Sequence, residues 1–395
     1  MFLLKIKQSS NKYFYVIFYI TTSLIVLNSL IRSKVINENS NCGWDGAIYC
    51  AMARNELGYE PFSRRTLLPS MVGLIPGTPT YKDFYFLNLI FSLLAIFFAY
   101  KLISLINLKS RWIFIALLLV NPSFIRMLVT YPVLTDYLAL LLIMIFFYVH
   151  YSKSGYLWLS LNYIIVTALA FVRENLSLTL GISILISEII NRTKLNKALI
   201  FFAFTVLVTF LSFQQPTTSP TSSIGSSISS VVLFWVTENS KDFNQLIRFI
   251  YLLILGIGIT GLFGVFQGRS ILRKYNLLYI FSLVLFISGA FLGGDNARIS
   301  SIPGILLTLL WLLYEKSESR KKIILILTIF LWMPFYFSDG TNESYFYMYA
   351  QRAAAFQVTT DQITSFLGFT FGLLLLVALF TSTGNKSVSH KSIEN

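Results

Sequence analysis

Stretches of about 20 residues without a single Asp, Glu, Lys or Arg recur along this chain, and they constrain its fold more than any motif does. The first, Tyr13–Ile31, is already long enough to cross the hydrocarbon core of a bilayer, which takes roughly 20 apolar residues as a helix. Its length and its lack of a small-residue cleavage site set it apart from a removable signal sequence. Only 12% of the 395 residues are charged, about half the share found in soluble domains. The pattern predicts an all-α polytopic membrane protein with spans near 13–31, 84–106, 111–128, 132–150, 156–172, 175–190, 197–213, 246–266, 276–292, 299–314, 323–338 and 363–383. These form one transmembrane domain over 1–383, followed by a short tail at 384–395.

The formal net charge of +14 is a statement about orientation. With the N-terminus on the cytoplasmic side, the predicted inner segments hold 19 lysines and arginines against four acids, Glu188, Glu315, Glu318 and Glu394. The remaining 12 basic residues and 13 acids fall on the other side and nearly cancel. Cytoplasmic loops of membrane proteins are enriched in Lys and Arg, so the basic excess predicts two cytoplasmic termini and no nucleic-acid partner. The same topology puts both histidines, His150 and His390, inside, which excludes a histidine-based reaction on the outer face.

Three polar segments face outward in this scheme. The longest, about 32–83, should carry short interfacial helices, one of them over Ala47–Leu57 with Ile48, Ala51 and Met52 on one face. It contains both cysteines, Cys42 and Cys50, which fit either a disulfide in an oxidising compartment or two small buried thiols. The second, about 214–245, begins with a Ser/Thr/Pro-rich run and reads as a flexible loop. The third, about 339–362, contains Tyr345, Tyr347, Tyr349 and Arg352.

Charged residues otherwise scarce in the spans collect at the outer level as Asp45, Arg64-Arg65, Asp136, Arg173-Glu174 and Asp295-Asn296-Ala297-Arg298. Ionisable groups at membrane depth are expensive and face a cavity or a partner, so their recurrence at one level predicts one shared site. Asp45 has the chemistry of a general base that takes the proton of an acceptor hydroxyl, or of a cap on the helix that follows it. Trp44 offers a face for a sugar ring. Guanidinium groups bind phosphate oxygens in a bidentate manner, which suits Arg64, Arg65 and Arg298 to a leaving phosphate; interfacial anchoring is the alternative for the first two. Asp295 can orient such an arginine or help hold a divalent cation, although no metal motif is present. Asp136 reads as substrate contact or helix cap, and Arg173-Glu174 as substrate contacts or as an ion pair internal to two short spans.

At Trp44-Asp45-Gly46, Tyr49, Gly58-Tyr59, Pro61, Arg64-Arg65 and Leu68-Pro69, the sequence resembles the C-type (GT-C) membrane glycosyltransferases. It is similar to the mannosyltransferases that add the second mannose of GPI anchors, and to a bacterial group with a Tyr-Asp-Gly…Tyr-Arg-x-Arg-x-Leu-x-Pro pattern. The resemblance implies a polyprenyl-phosphate sugar as donor and transfer on the extracytoplasmic face. It maps Asp45 to the essential acid of the first outer loop, and Arg64 and Arg65 to the bacterial arginines. Thr135-Asp136, Arg173-Glu174 and Asp295…Arg298 resemble polar marks of the bacterial group, and Tyr49 is a supporting position. Where the GPI enzymes have Phe-Pro-Leu-x-Pro, this chain has Arg64-Arg65-Thr66-Leu67-Leu68-Pro69, which directs the expectation to a bacterial cytoplasmic membrane and a glycan, lipid or protein acceptor. Two rivals stand beside it: a polymerase or ligase of undecaprenyl-diphosphate-linked glycans, which also uses outer-face arginines, and a lipid-linked sugar transporter or flippase, whose charges would instead line a path through the midplane.

Overall fold

The computed structural model of the protein describes residues 2–32, 42, 44–58, 62–106, 110–152, 156–192, 194–216, 243–266, 275–292 and 296–337. Among them the chain is helical throughout, with no strand. The α-helices are α1 (Phe2–Arg32), α2 (Trp44–Ala53), α3 (Leu67–Gly73), α4 (Tyr81–Ile106), α5 (Arg111–Leu119), α6 (Ile125–Thr130), α7 (Asp136–Ser152), α8 (Tyr156–Val172), α9 (Glu174–Asn191), α10 (Leu195–Phe213), α11 (Phe243–Phe266), α12 (Asn276–Leu292), α13 (Asn296–Tyr314) and α14 (Glu318–Phe337). Asp295, the loop expected at 339–362, the span at 363–383 and the tail at 384–395 lie outside the described residues, as does most of the 214–245 loop.

Two of these helices, α4 and α10, are long and apolar enough to cross a membrane by themselves. Only 33% of the most apolar window of each is buried inside the protein. Phe86, Leu93 and Phe97 on α4, and Ile200, Leu207 and Phe210 on α10, are at least half exposed. A soluble protein rarely exposes contiguous apolar surface on that scale, and these faces suit a hydrocarbon solvent. Shorter apolar stretches of 10–17 residues occur on α1, α7, α8, α11, α12 and α13.

One expected span is broken. The stretch 111–128 divides into α5 and α6 around Asn121-Pro122, because proline supplies no N–H to the helical ladder and its ring clashes with the preceding turn. At about 1.5 Å per residue, the nine residues of α5 cover less than half of a bilayer core.

Contacts between helix ends define two ends of the bundle. At one, the Tyr15 hydroxyl of α1 donates to Glu318 at the start of α14 (2.7 Å), and the Leu278 N–H of α12 donates to Tyr151 near the end of α7 (3.3 Å). Glu315, Arg320, Lys321 and Glu318 pair there too. At the other end, Asn88 in the second turn of α4 donates to the carbonyls of Pro132 and Leu134, just before α7. Asp136 at the start of α7 meets Arg173 between α8 and α9. α4 and α7 therefore start at the same end, with α5 and α6 carrying the chain back between them, and α8 runs opposite to α7 and α9.

α11 and α13 approach each other through glycine. A Cβ on Gly304 would come within 2.5 Å of the Ile257 carbonyl oxygen, and one on Gly264 within 2.2 Å of the Leu307 carbonyl oxygen. The hydroxyls of Thr260 and Thr308 bond across the same seam at 2.7 Å. Small residues and hydroxyl pairs of this kind hold helices together where burial from water supplies no drive. Gly258 adopts φ +71 and bends α11 against Trp332. Gly304→Val should destabilise the detergent-solubilised protein by about 1–3 kcal/mol through overpacking, read from thermal or SDS-induced unfolding; an unchanged midpoint would refute this close packing.

Candidate functional site

The site grows from α2. The sequence suggested a helix from Ala47 with Asp45 as its cap, but α2 begins at Trp44, so Asp45 lies in its first turn and the cap reading is corrected. Cys42 and Cys50 form a disulfide across the start of this helix, and both are buried. That choice between disulfide and free thiols is decided by the fold, which brings their Cα atoms within 6.5 Å.

The first turn of a helix leaves backbone N–H groups without intrahelical partners. At Gly46 the acceptor comes from far along the chain: the buried hydroxyl of Tyr131, at 3.1 Å. Gly46 is required there, since a Cβ would sit 2.6 Å from a Val133 methyl carbon. Tyr131 and Val133 belong to the short segment before α7 that Asn88 pins through two carbonyls. The Asp45 turn is thus fastened to a fixed part of the bundle. Tyr131→Phe preserves the ring and removes the acceptor. It should cost about 1–3 kcal/mol for the buried group left unsatisfied and accelerate amide exchange at Gly46, while exchange along α7 stays unchanged.

One helical turn after Asp45, the buried Tyr49 accepts a hydrogen bond from Arg65 Nη1 (3.3 Å) and sets its ring edge against Phe62. Arg65 Nε lies 3.5 Å from Glu174 Oε2. Next to Glu174 in the chain, Arg173 pairs with Asp136 at 2.8 Å. The four charged side chains are 6–17% exposed and balance to zero. Burial works against the charged form of Arg65, but Tyr49, Glu174 and Asp136 outweigh it and hold the guanidinium above its ordinary pKa. Arg173 and Glu174, adjacent in sequence, do not pair with each other. Each reaches a different element, so the reading of them as an internal pair is corrected: they join α9 to α7 and to the first loop.

The two neighbouring arginines part company. Arg65 turns inward to the cluster, whereas Arg64 closes the 3₁₀ turn Phe62–Arg64, is half-buried and lies 3.8 Å above the Phe213 ring at the end of α10. Asp136 also borders a narrow crevice shared with Ser301 and Ile302 of α13. Arg298, one turn before Ser301, is in the first turn of that helix and so at the same end of the bundle. The side chains of Trp44, Asp45 and Arg298, and the whole of Asp295, lie outside the described residues.

Arg65, Asp136, Arg173 and Glu174, expected at one site from charge scarcity, form two ion pairs linked through the adjacent Arg173 and Glu174, and Tyr49, a position of the resemblance, bonds to Arg65. Tyr131, Val133, Asn88 and Phe213 also build this end of the bundle and carried no signal in the sequence. Among the described residues, no three His, Cys, Asp or Glu side chains are grouped to hold a metal ion. Fold and site together define an all-helical protein with apolar helices of membrane-spanning length and a buried acid–arginine cluster at one end. Comparison with family models, curated proteins and solved structures finds no match for this chain.

Proposed function

We propose that the protein is a C-type glycosyltransferase of about twelve spans, with both termini cytoplasmic, in a bacterial cytoplasmic membrane. It transfers a monosaccharide from a polyprenyl-phosphate donor to a glycan, lipid or protein acceptor on the extracytoplasmic face. The observation that carries this reading is the fastening of the Asp45 turn, through Tyr131 and through Tyr49–Arg65–Glu174, to the end of the bundle where acids and arginines converge. Two features support the sidedness. The basic pairs around Glu315 and Glu318 gather at the opposite end, in keeping with Lys and Arg enrichment inside. The Cys42–Cys50 disulfide suits an oxidising exterior.

In the proposed reaction Asp45 takes the proton of the acceptor hydroxyl as that oxygen attacks the anomeric carbon. The bond from that carbon to the phosphate oxygen breaks on the opposite face, with inversion, as in single-displacement glycosidases. Polyprenyl phosphate leaves with the electron pair. Arg64 and Arg298 stabilise the charge that builds on it, and Trp44 supports the sugar ring. Asp295 orients Arg298 or helps hold a divalent cation. Arg65, Glu174, Arg173 and Asp136 act as a brace: a guanidinium already neutralised by a carboxylate is a poor acceptor of further negative charge. The test is an assay of purified protein in lipid vesicles with several polyprenyl-phosphate sugars. Release of polyprenyl phosphate coupled to acceptor glycosylation is expected. Consumption of a diphosphate-linked oligosaccharide would point to a polymerase or ligase, and passage of the intact donor across the vesicle wall to a transporter.

A further inference from the structure

Both ends of the Cys42–Cys50 bond are out of reach in the folded protein: Cys42 is 2% exposed and Cys50 1%, and both belong to the main apolar core. A disulfide forms when a thiolate attacks another disulfide and passes through a mixed bond, so its formation depends on access to the sulfur. A second protein has no such access once α2 is in place. Three contacts put it there. Gly46 donates to Tyr131, Arg65 donates to Tyr49, and α3 presses on the last turn of α2, where a Cβ on Gly73 would sit 2.6 Å from the Ala53 carbonyl oxygen. The sulfur bridge is therefore older than the packing around it.

The order of the chain supplies the interval in which it forms. The two cysteines are 8 residues apart, and a loop of about ten residues closes in roughly 10–100 ns, so they meet without help from the rest of the fold. The residues that fix α2 come much later. Tyr131 follows Gly46 by 85 residues, and Glu174, which holds Arg65, follows that arginine by 109. At about 5–20 residues per second of synthesis, the first loop waits roughly 4–17 s for Tyr131 alone. We propose that Cys42 and Cys50 are a modification site for a thiol-oxidising protein of the extracytoplasmic face, and that their oxidation is complete before α2 docks. In the exchange, the thiolate of one cysteine attacks the oxidant's disulfide and displaces one of its sulfurs as a thiolate. The second cysteine attacks the mixed bond and displaces the other. The chain gains one disulfide, and the oxidant keeps the two electrons and two protons as two thiols. Docking then seals the product, so the bond is a permanent part of the Asp45 turn and not a switch that follows the surrounding redox state. The inference rests on the outward orientation of the first loop and not on sugar transfer.

The chain has two cysteines in all, so a polyethylene-glycol maleimide that counts free thiols after an acid quench reads the bond directly. In pulse-labelled bacterial cells, the full-length chain should carry no free thiol at the shortest pulse. Tyr131→Phe should match it, because the bond does not wait for docking, and cells lacking the thiol oxidant should yield two free thiols. In vesicles of phosphatidylethanolamine and phosphatidylglycerol, dithiothreitol should open the bond of the native protein about 100-fold more slowly than in SDS, since it must wait for local opening. A full-length chain that emerges with two thiols and closes them later, Tyr131→Phe that stays reduced, or a native bond as reducible as in SDS would overturn the order and leave the orientation standing. Two free thiols at all times in ordinary cells would overturn both. If Tyr131→Phe is degraded, the wild-type pulse and the vesicle measurement decide. An early, inert bond in a protein that transfers no sugar would support the proposal and count against the enzyme reading alone.

Discussion

Asp45→Asn will lower the turnover number for sugar transfer about 10²–10⁴-fold, the range over which a positioned acid or base accelerates a reaction, with the donor KM little changed. The amide matches the carboxylate in shape and cannot take a proton. What the substitution removes structurally is bounded by the position of Asp45 in the first turn of α2. A negative charge there gains about 0.3–1 kcal/mol from the helix dipole, too little to unfold a helix held by a disulfide and by Tyr131. The comparison is made on purified protein with matched yield and an intact Cys42–Cys50 bond. A variant that keeps more than a tenth of wild-type turnover would remove Asp45 from the role of base.

Asp136→Ala will destabilise the protein by about 3–5 kcal/mol, because it takes from the buried, 6%-exposed Arg173 the carboxylate it pairs with at 2.8 Å. Replacing both partners together, as Asp136→Leu with Arg173→Met, should recover most of that loss, since a well-packed apolar pair often equals a buried ion pair in stability. Unfolding free energies of Asp136→Leu, Arg173→Met and the double variant give the coupling energy. The double variant also separates brace from substrate contact. If the pair only holds α7 against α9, the refolded double variant transfers sugar at close to the wild-type rate. If either side chain touches the donor or acceptor, stability returns and transfer does not.

The helices were legible because their cause is local. Apolar runs such as Tyr13–Ile31 and Phe84–Ile106 need only their own length and composition to become α1 and α4. Where prediction and structure part, as at 111–128, the sequence already held the cause in Pro122, but hydropathy averaged across it. The start of α2 was misjudged by three residues for a related reason. Its first turn is secured from outside, by Tyr131 and by the disulfide, and nothing within Trp44–Ala47 announces that.

The site divides along the same line. Charge is so costly in an apolar chain that Arg65, Asp136, Arg173 and Glu174 could be picked out by their rarity alone. Their pairing could not: Arg173 and Glu174 are adjacent, yet their backbone positions at the junction of α8 and α9 send them to Asp136 and Arg65 respectively. Arg64 and Arg65 looked equivalent, and a 3₁₀ turn ending at the first sends one to Phe213 and the other to the cluster. The sequence by itself determined that this chain is helical and apolar and which few residues carry charge at that end, because both follow from the cost of exposing polar groups to hydrocarbon. Only the tertiary structure decided which charge neutralises which, because pairing depends on directions and distances a few ångströms long between segments up to 109 residues apart.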